Sequence, residues 1–262
     1  MYKANVLVLF FMLMLIFTAK AVGQQDTLNR TDKNGKKHGY WIKSNNDTLM
    51  YEGRFEHGSP NGLFVYYYPN KKIKSTVFYS DKGKTARTVM FHSNGSIMAI
   101  GKYIDQQKDS LWKYYNDFEL LVSSEQYEKG IAHGDWQKYN AEGKVIEKTV
   151  YQNGVKEGDW IQYFDNGKVK LKATYKGGML EGSFLMYYSN GMFSVAGNYV
   201  KSIPVGIWMF YNIRGEVERK DTYKDGKKIR TEQLLPVVQP DTPEAMNEVN
   251  SYRRQLRSLG LE

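Results

Sequence analysis

The sequence predicts an all-β fold, an elongated antiparallel β-meander of about eight stacked 24-residue hairpins closed by a short C-terminal helix. Three observations lead there. A small residue followed two positions later by a large aromatic recurs at Gly134/Trp136, Gly158/Trp160, Gly182/Phe184 and Gly206/Trp208, each start 24 residues after the last. The spacing runs backward through Ser110/Trp112, a degraded Ala86/Thr88, Gly62/Phe64 and, after one lost residue, Gly39/Trp41. Composition agrees: 15% aromatic residues and 24 Gly against 6 Pro describe strands and tight turns. Finally, Val169, Leu171, Ala173 and Tyr175 alternate with Lys168, Lys170, Lys172 and Thr174, the period-two signature of a half-buried strand.

Residues 1–23 read as a signal peptide: Lys3 precedes an uninterrupted apolar run from Val6 to Phe17, and small residues follow at Ala19, Ala21 and Gly23. The run is shorter than the ~20 residues a spanning helix needs, so cleavage near Gly23 is expected, with an uncleaved anchor as the alternative. The mature chain is then exported, to a periplasm, a cell surface or the medium. Residues 24–38 form a polar lead-in, a loop or capping strand. The array occupies 39–229.

Within the array, a middle aromatic follows the first by three positions at Tyr67, Phe91, Tyr115, Tyr139, Tyr163, Tyr187 and Tyr211. A turn glycine and then a closing aromatic, such as Tyr175, Tyr199 and Tyr223, complete each copy. Asn166-Gly167 as a type I′ turn predicts Phe164 opposite Val169, Trp160 opposite Ala173 and Gly158 opposite Tyr175. In that register the closing tyrosine covers the bare glycine backbone, and the tryptophans Trp41, Trp112, Trp136, Trp160 and Trp208 are structural. Residues 230–242, with Pro236 and Pro240, form a linker. A helix over 243–262 opens with Thr242 as cap and Pro243 in its first turn, and carries Met246, Val249, Leu256 and Leu259 on one stripe. Its expected role is to cap the last repeat's edge strand, a partner-binding helix being the other reading.

Strand alternation puts the middle tyrosines on the face opposite the tryptophans. Tyr67, Tyr115, Tyr139, Tyr163, Tyr187 and Tyr211, beside Lys168, Lys170 and Lys172, are therefore the candidate binding row, an aromatic and cationic ladder; packing within the sheet, or on the same row in a partner subunit, is the competing role for the same rings. The net charge of +9 biases the chain toward anionic partners without choosing one. With no Cys, disulfide frameworks, thiolate metal sites and Cys nucleophiles are excluded. Three of the four His (His38, His57, His133) directly precede glycines, and no paired His spacing, nucleophile elbow or phosphate loop is present. Acidic residues recur with the repeat instead of forming one carboxylate pair. No enzyme, metal or cofactor is expected.

The unit Gly-x-Trp-x-x-Tyr, then Asn-Gly-Lys, then a closing Tyr, best kept in Gly158 to Gly178 and Gly182 to Gly191, resembles the MORN-repeat variant of bacterial YwqK-type antitoxins. The resemblance covers residues 39–229. It implies stacked antiparallel hairpins, a protein partner and an immunity-type role, and brings no catalytic residues; MORN relatives also associate with membranes. Export would confine such an immunity protein to a toxin acting in the envelope. Choline- and glucan-binding repeats are a second, weaker resemblance, through Gly-Trp, paired Tyr (Tyr114-Tyr115, Tyr187-Tyr188) and Asn-Gly. The expected partner is a protein, with envelope glycan or anionic lipid as the alternative, and no nucleic acid.

Overall fold

The computed structural model describes residues 28–236 and 242–261. The signal segment, and parts of the lead-in and linker, lie outside the described residues. Among the described residues twenty strands, from Arg30–Thr31 to Lys227–Gln233, form one open antiparallel sheet in which strands pair with their neighbours in sequence, except that the short Ile131–Ala132 and Met179–Leu180 share a partner with the strand that follows each. The all-β meander is what the repeat dictates. A lone hairpin cannot hide its rings, whereas each added hairpin covers the last one's. The array runs past 229, because Lys227–Gln233 pairs with Val217–Lys224, so residues 230–233 belong to a strand and not to the linker.

The register holds for the inner half of each hairpin and differs near the turn. Gly158 pairs with Tyr175 and Trp160 with Ala173, but Val169 lies opposite Tyr163 instead of Phe164. Two departures from a simple hairpin cancel. The turn has three residues: Gly167 N–H donates to Phe164 carbonyl and Phe164 N–H to Lys168 carbonyl, with Gly167 at φ +81°. A β-bulge then adds one residue, Lys170, between the pairs Tyr163/Val169 and Gln162/Leu171, which restores the spacing. The same shift occurs at Tyr67/Ile73, Phe91/Ile97, Tyr115/Leu121, Tyr139/Val145, Tyr187/Phe193 and Tyr211/Val217.

The repeat glycines serve a different purpose from the one expected. Gly158, Gly182 and Gly206 take φ of +85°, +79° and +68°, and Gly182 and Gly206 have open space where a Cβ would stand. They are left-handed residues at a second, wider bulge, not surfaces for a ring. The glycines under rings are Gly53, Gly101 and Gly197, where an added methyl would overlap Phe64, Trp112 and Trp208. Those positions lie between the large aromatics of consecutive hairpins, and Val77, Thr149 and Ala173 fill them elsewhere.

The tryptophan face holds the core. Phe184 and Trp208 are fully buried and meet Tyr199 edge-on at 5.5 and 5.0 Å, and Phe64 meets Tyr79 likewise at 5.1 Å. Helix α1 (Pro243–Ser258) lies on this face and not at the sheet's edge, which corrects the capping expectation. Its Glu248 accepts from Ser189 N–H at 2.7 Å, Tyr252 hydroxyl donates to the Tyr187 carbonyl, and Gln255 reaches Gln162 at 3.1 Å. Leu256, Tyr252 and the following Leu261 are buried in the core, with Val249 and Leu259 packed beside them. An apolar stripe facing a ready-made aromatic floor explains the choice: burying it on the sheet face removes more surface from water than the edge offers. No helix among the described residues is long and apolar enough to cross a membrane.

Candidate functional site

The bulge decides where each candidate side chain points. Residues directly opposite in neighbouring strands share a face. Each middle tyrosine is therefore on the outer face with an apolar partner: Tyr67 with Ile73, Tyr115 with Leu121, Tyr139 with Val145, Tyr163 with Val169, Tyr187 with Phe193 and Tyr211 with Val217. Val169 accordingly leaves the tryptophan face on which simple alternation puts it. All six tyrosines are partly exposed.

Tyr187, Phe193 and Tyr211 form a continuous stack, with centroids 5.0 and 5.9 Å apart, and Phe193 is 41% exposed. Tyr67, Tyr139 and Tyr163 are tied to same-face neighbours. Tyr139 hydroxyl lies 3.0 Å from Ser124 Oγ and donates to Gln137 at 2.8 Å. Tyr67 and Tyr40 both donate to the Glu52 carboxylate, and burial followed by this acceptor pushes Tyr40 up to about 12 and Tyr67 further. Burial also raises Tyr115 and Tyr187. These phenols stay neutral donors throughout the physiological range.

The three lysines separate. Lys172 lies on the outer face, between Ile161 and Leu185. Lys168 belongs to the turns, where its ammonium donates to Asn190 carbonyl at 3.0 Å, as Lys144 does to Asp165 carbonyl and Lys72 to Ser93 carbonyl. Together with Asn166 and Asn190, which reach Ser189 and Ile213 carbonyls, these lysines lace successive turns together. Lys170 is the bulge residue and turns to the tryptophan face, where it lies 6.0 Å over Phe164; burial lowers its pKa while Glu248 of α1 opposes that. The cation that accompanies the row is instead Lys148, 5.9 Å over Tyr163. Strand parity from the Trp160/Thr149 pair places Lys148 outward, a signal already present in the sequence.

Cations also stand on the inner face. Lys37 lies 4.7 Å over Trp41 and Phe55, and Lys156 is 4.7 Å over Tyr175 and 5.6 Å over Trp160. Lys108 lies 4.9 Å from Trp112 and Tyr127 and 5.2 Å from Tyr114, whose hydroxyl its ammonium reaches at 2.6 Å. Each such contact is worth about 0.5–2 kcal/mol, more where water is excluded.

Histidines sit at the edges. His57 Nδ1 is 2.7 Å from Asp32, a hydrogen bond that holds this carboxyl at about 2, and His92 Nδ1 is 3.0 Å from Asp117. Folding brings the His38 and His57 rings to 4.9 Å, a pairing their spacing in the chain conceals. Among the described residues no group of three or more His, Cys, Asp or Glu is placed to hold a metal ion. Between α1 and the sheet lies a cavity of about 110 Å³ lined by Tyr188, Ser194, Glu218, Arg219 and Tyr252 among others. The arrangement offers rings, hydroxyls and cations in repeated rows, which suits recognition of an extended surface.

Residues 60–81, 132–153 and 156–176 match the MORN repeat variant. No curated protein matches the chain. Among solved structures, TarM is 15% identical with a TM-score of 0.27, over 36% of this chain and 20% of that one. A mutant S. aureus TarM in complex with fondaparinux, alpha-GlcNAc-glycerol and UDP is 18% identical with a TM-score of 0.28, over 37% and 19%. A GtfA/B complex is 11% identical with a TM-score of 0.23, over 38% and 18%. This chain thus spans about a fifth of each of those chains.

Proposed function

We propose that this chain is a non-enzymatic scaffold that binds another protein across the outer face of its sheet. MORN repeats are consistent with a repeat protein that binds other molecules. The observation that carries the reading is the row of six partly exposed tyrosines, each opposite an apolar residue and ending in the Tyr187–Phe193–Tyr211 stack. Tyr and Phe are the side chains that supply most area per rotamer lost, so they anchor protein interfaces. In this reading the chain is exported by its N-terminal segment and acts as an immunity-type partner of the YwqK kind, on a toxin of the envelope.

A second reading has support from the +9 charge and from Lys148 and Lys172 on the same face: binding of an envelope glycan or anionic lipid. One triple variant separates the two. Tyr139, Tyr163 and Tyr187 changed together to Ser should release a protein partner crosslinked in native cells, while the far-ultraviolet spectrum stays that of a sheet. Salt-sensitive binding of wild type to phosphatidylglycerol vesicles or cell-wall polysaccharide, with no partner protein retained, would overturn the scaffold.

A further inference from the structure

Three hairpins hold an ammonium among the rings of the inner face, and each takes it from the same place. Lys37, Lys108 and Lys156 stand four residues before Trp41, Trp112 and Trp160. Lys108 and Lys156 pair with the closing tyrosine of the preceding hairpin, Tyr103 and Tyr151. In other hairpins Pro60, Leu180 and Pro204 fill this position with apolar side chains.

The hairpin of Trp136 has the rings without the lysine. Ala132 occupies the position and pairs with Tyr127 as Lys156 does with Tyr151. Trp136 lies 4.6 Å from Tyr151 and 5.4 Å from Tyr127. It is partly exposed, whereas Trp112, Trp160 and Trp208 are buried. Its indole is fixed by donation to Gln126 carbonyl at 3.0 Å.

A carboxylate completes the set. Extending the pairing of Gln137 with Ser124 by one residue puts Glu125 across from Trp136, and Glu125 accepts from Tyr127 hydroxyl at 2.7 Å and from Ser123 at 3.2 Å. Lys138 is engaged by Glu147 at 3.1 Å and Lys108 lies 4.9 Å over Tyr127, so that among the described residues Trp136 and Tyr151 are the ring pair of this hairpin over which no lysine or arginine lies. Ring faces and a carboxylate complement a cation, and the length missing at Ala132 is that of an alkylammonium arm.

We propose that Trp136, Tyr151 and Glu125 form a binding site for an external alkylammonium group, the side chain of a lysine on a protein partner, which enters where Lys108 and Lys156 enter from within the chain. The choice of a protein as its source rests on the scaffold reading, extended from the outer face to a second contact on the inner one; the site's chemistry does not. Its test needs no partner. Nα-acetyl-lysinamide is titrated into the full chain while the indole N–H resonance of Trp136 is followed by NMR, beside the same compound acetylated at its ε-nitrogen, which keeps the shape and removes the charge.

The expected result is a saturable shift with the free amine and an affinity lower by roughly 3- to 30-fold for the acetylated compound. Ala132→Lys should fill the site from within and abolish the response while the sheet stays folded, as it does around Lys108 and Lys156. Equal responses to the two compounds, no response to either, or an undiminished response in Ala132→Lys would each overturn the site. Since the triple tyrosine variant reads the other face, loss of this site and loss of the scaffold reading are separate outcomes.

Discussion

Gly197 and Gly182 are the same residue type used for opposite reasons. Gly197 is extended and lies under Trp208, itself 0% exposed, so an added methyl must displace a ring that has nowhere to go. Gly182, at φ +79°, needs left-handed backbone and has free space around it. Ser110 holds the equivalent place at φ +59°, so the slot accepts a small polar residue. Overpacking a core costs about 1–3 kcal/mol or more, whereas Asn enters the left-handed region readily. Gly197→Ala should therefore lower stability in urea by about 2–3 kcal/mol and Gly182→Asn by under about 1 kcal/mol. The reverse order would show that the two roles are misassigned.

At the scale of elements, α1 and the residues just after it are held by a few anchors over the last hairpins, from Gln162 to Tyr223. Leu256 is 4% exposed, and truncating such a residue to Ala costs about 2–5 kcal/mol. Leu256→Ala should speed hydrogen exchange in α1 and the hairpins from Trp160 to Tyr223, leaving the Phe64 hairpins protected. Acceleration spread evenly to Phe64 would contradict a helix that docks locally. Existence of the hairpins and the pairing of Trp160 with Ala173 were legible in the sequence, because the 24-residue period repeats them. The turn was not: a three-residue loop and a bulge at Lys170 cancel in the spacing, so a two-residue turn fits the same letters. That cancellation also hid the fate of Lys170 and Val169, whose faces depend on the bulge alone. Tyr252, with its buried ring and its bond to Tyr187, went unread because a polar-tipped residue falls outside a stripe counted in aliphatics.

For the whole molecule, each hairpin contacts mainly its sequence neighbours, so stability is a sum of units and interfaces. Surface then scales with copy number: the outer tyrosines and the inner rings recur because the backbone recurs, with departures such as Ala132 marking one hairpin as special. These units are interchangeable in the stack. Removal of residues 134–157, one full 24-residue period, so that His133 is followed by Gly158, with thermal unfolding recorded by circular dichroism, puts this to the test. The expected result is a cooperative β-sheet transition with near-ultraviolet aromatic signals retained and a modestly lower midpoint. A chain that no longer melts cooperatively, or that loses its aromatic signals, would mean the hairpins are not equivalent units.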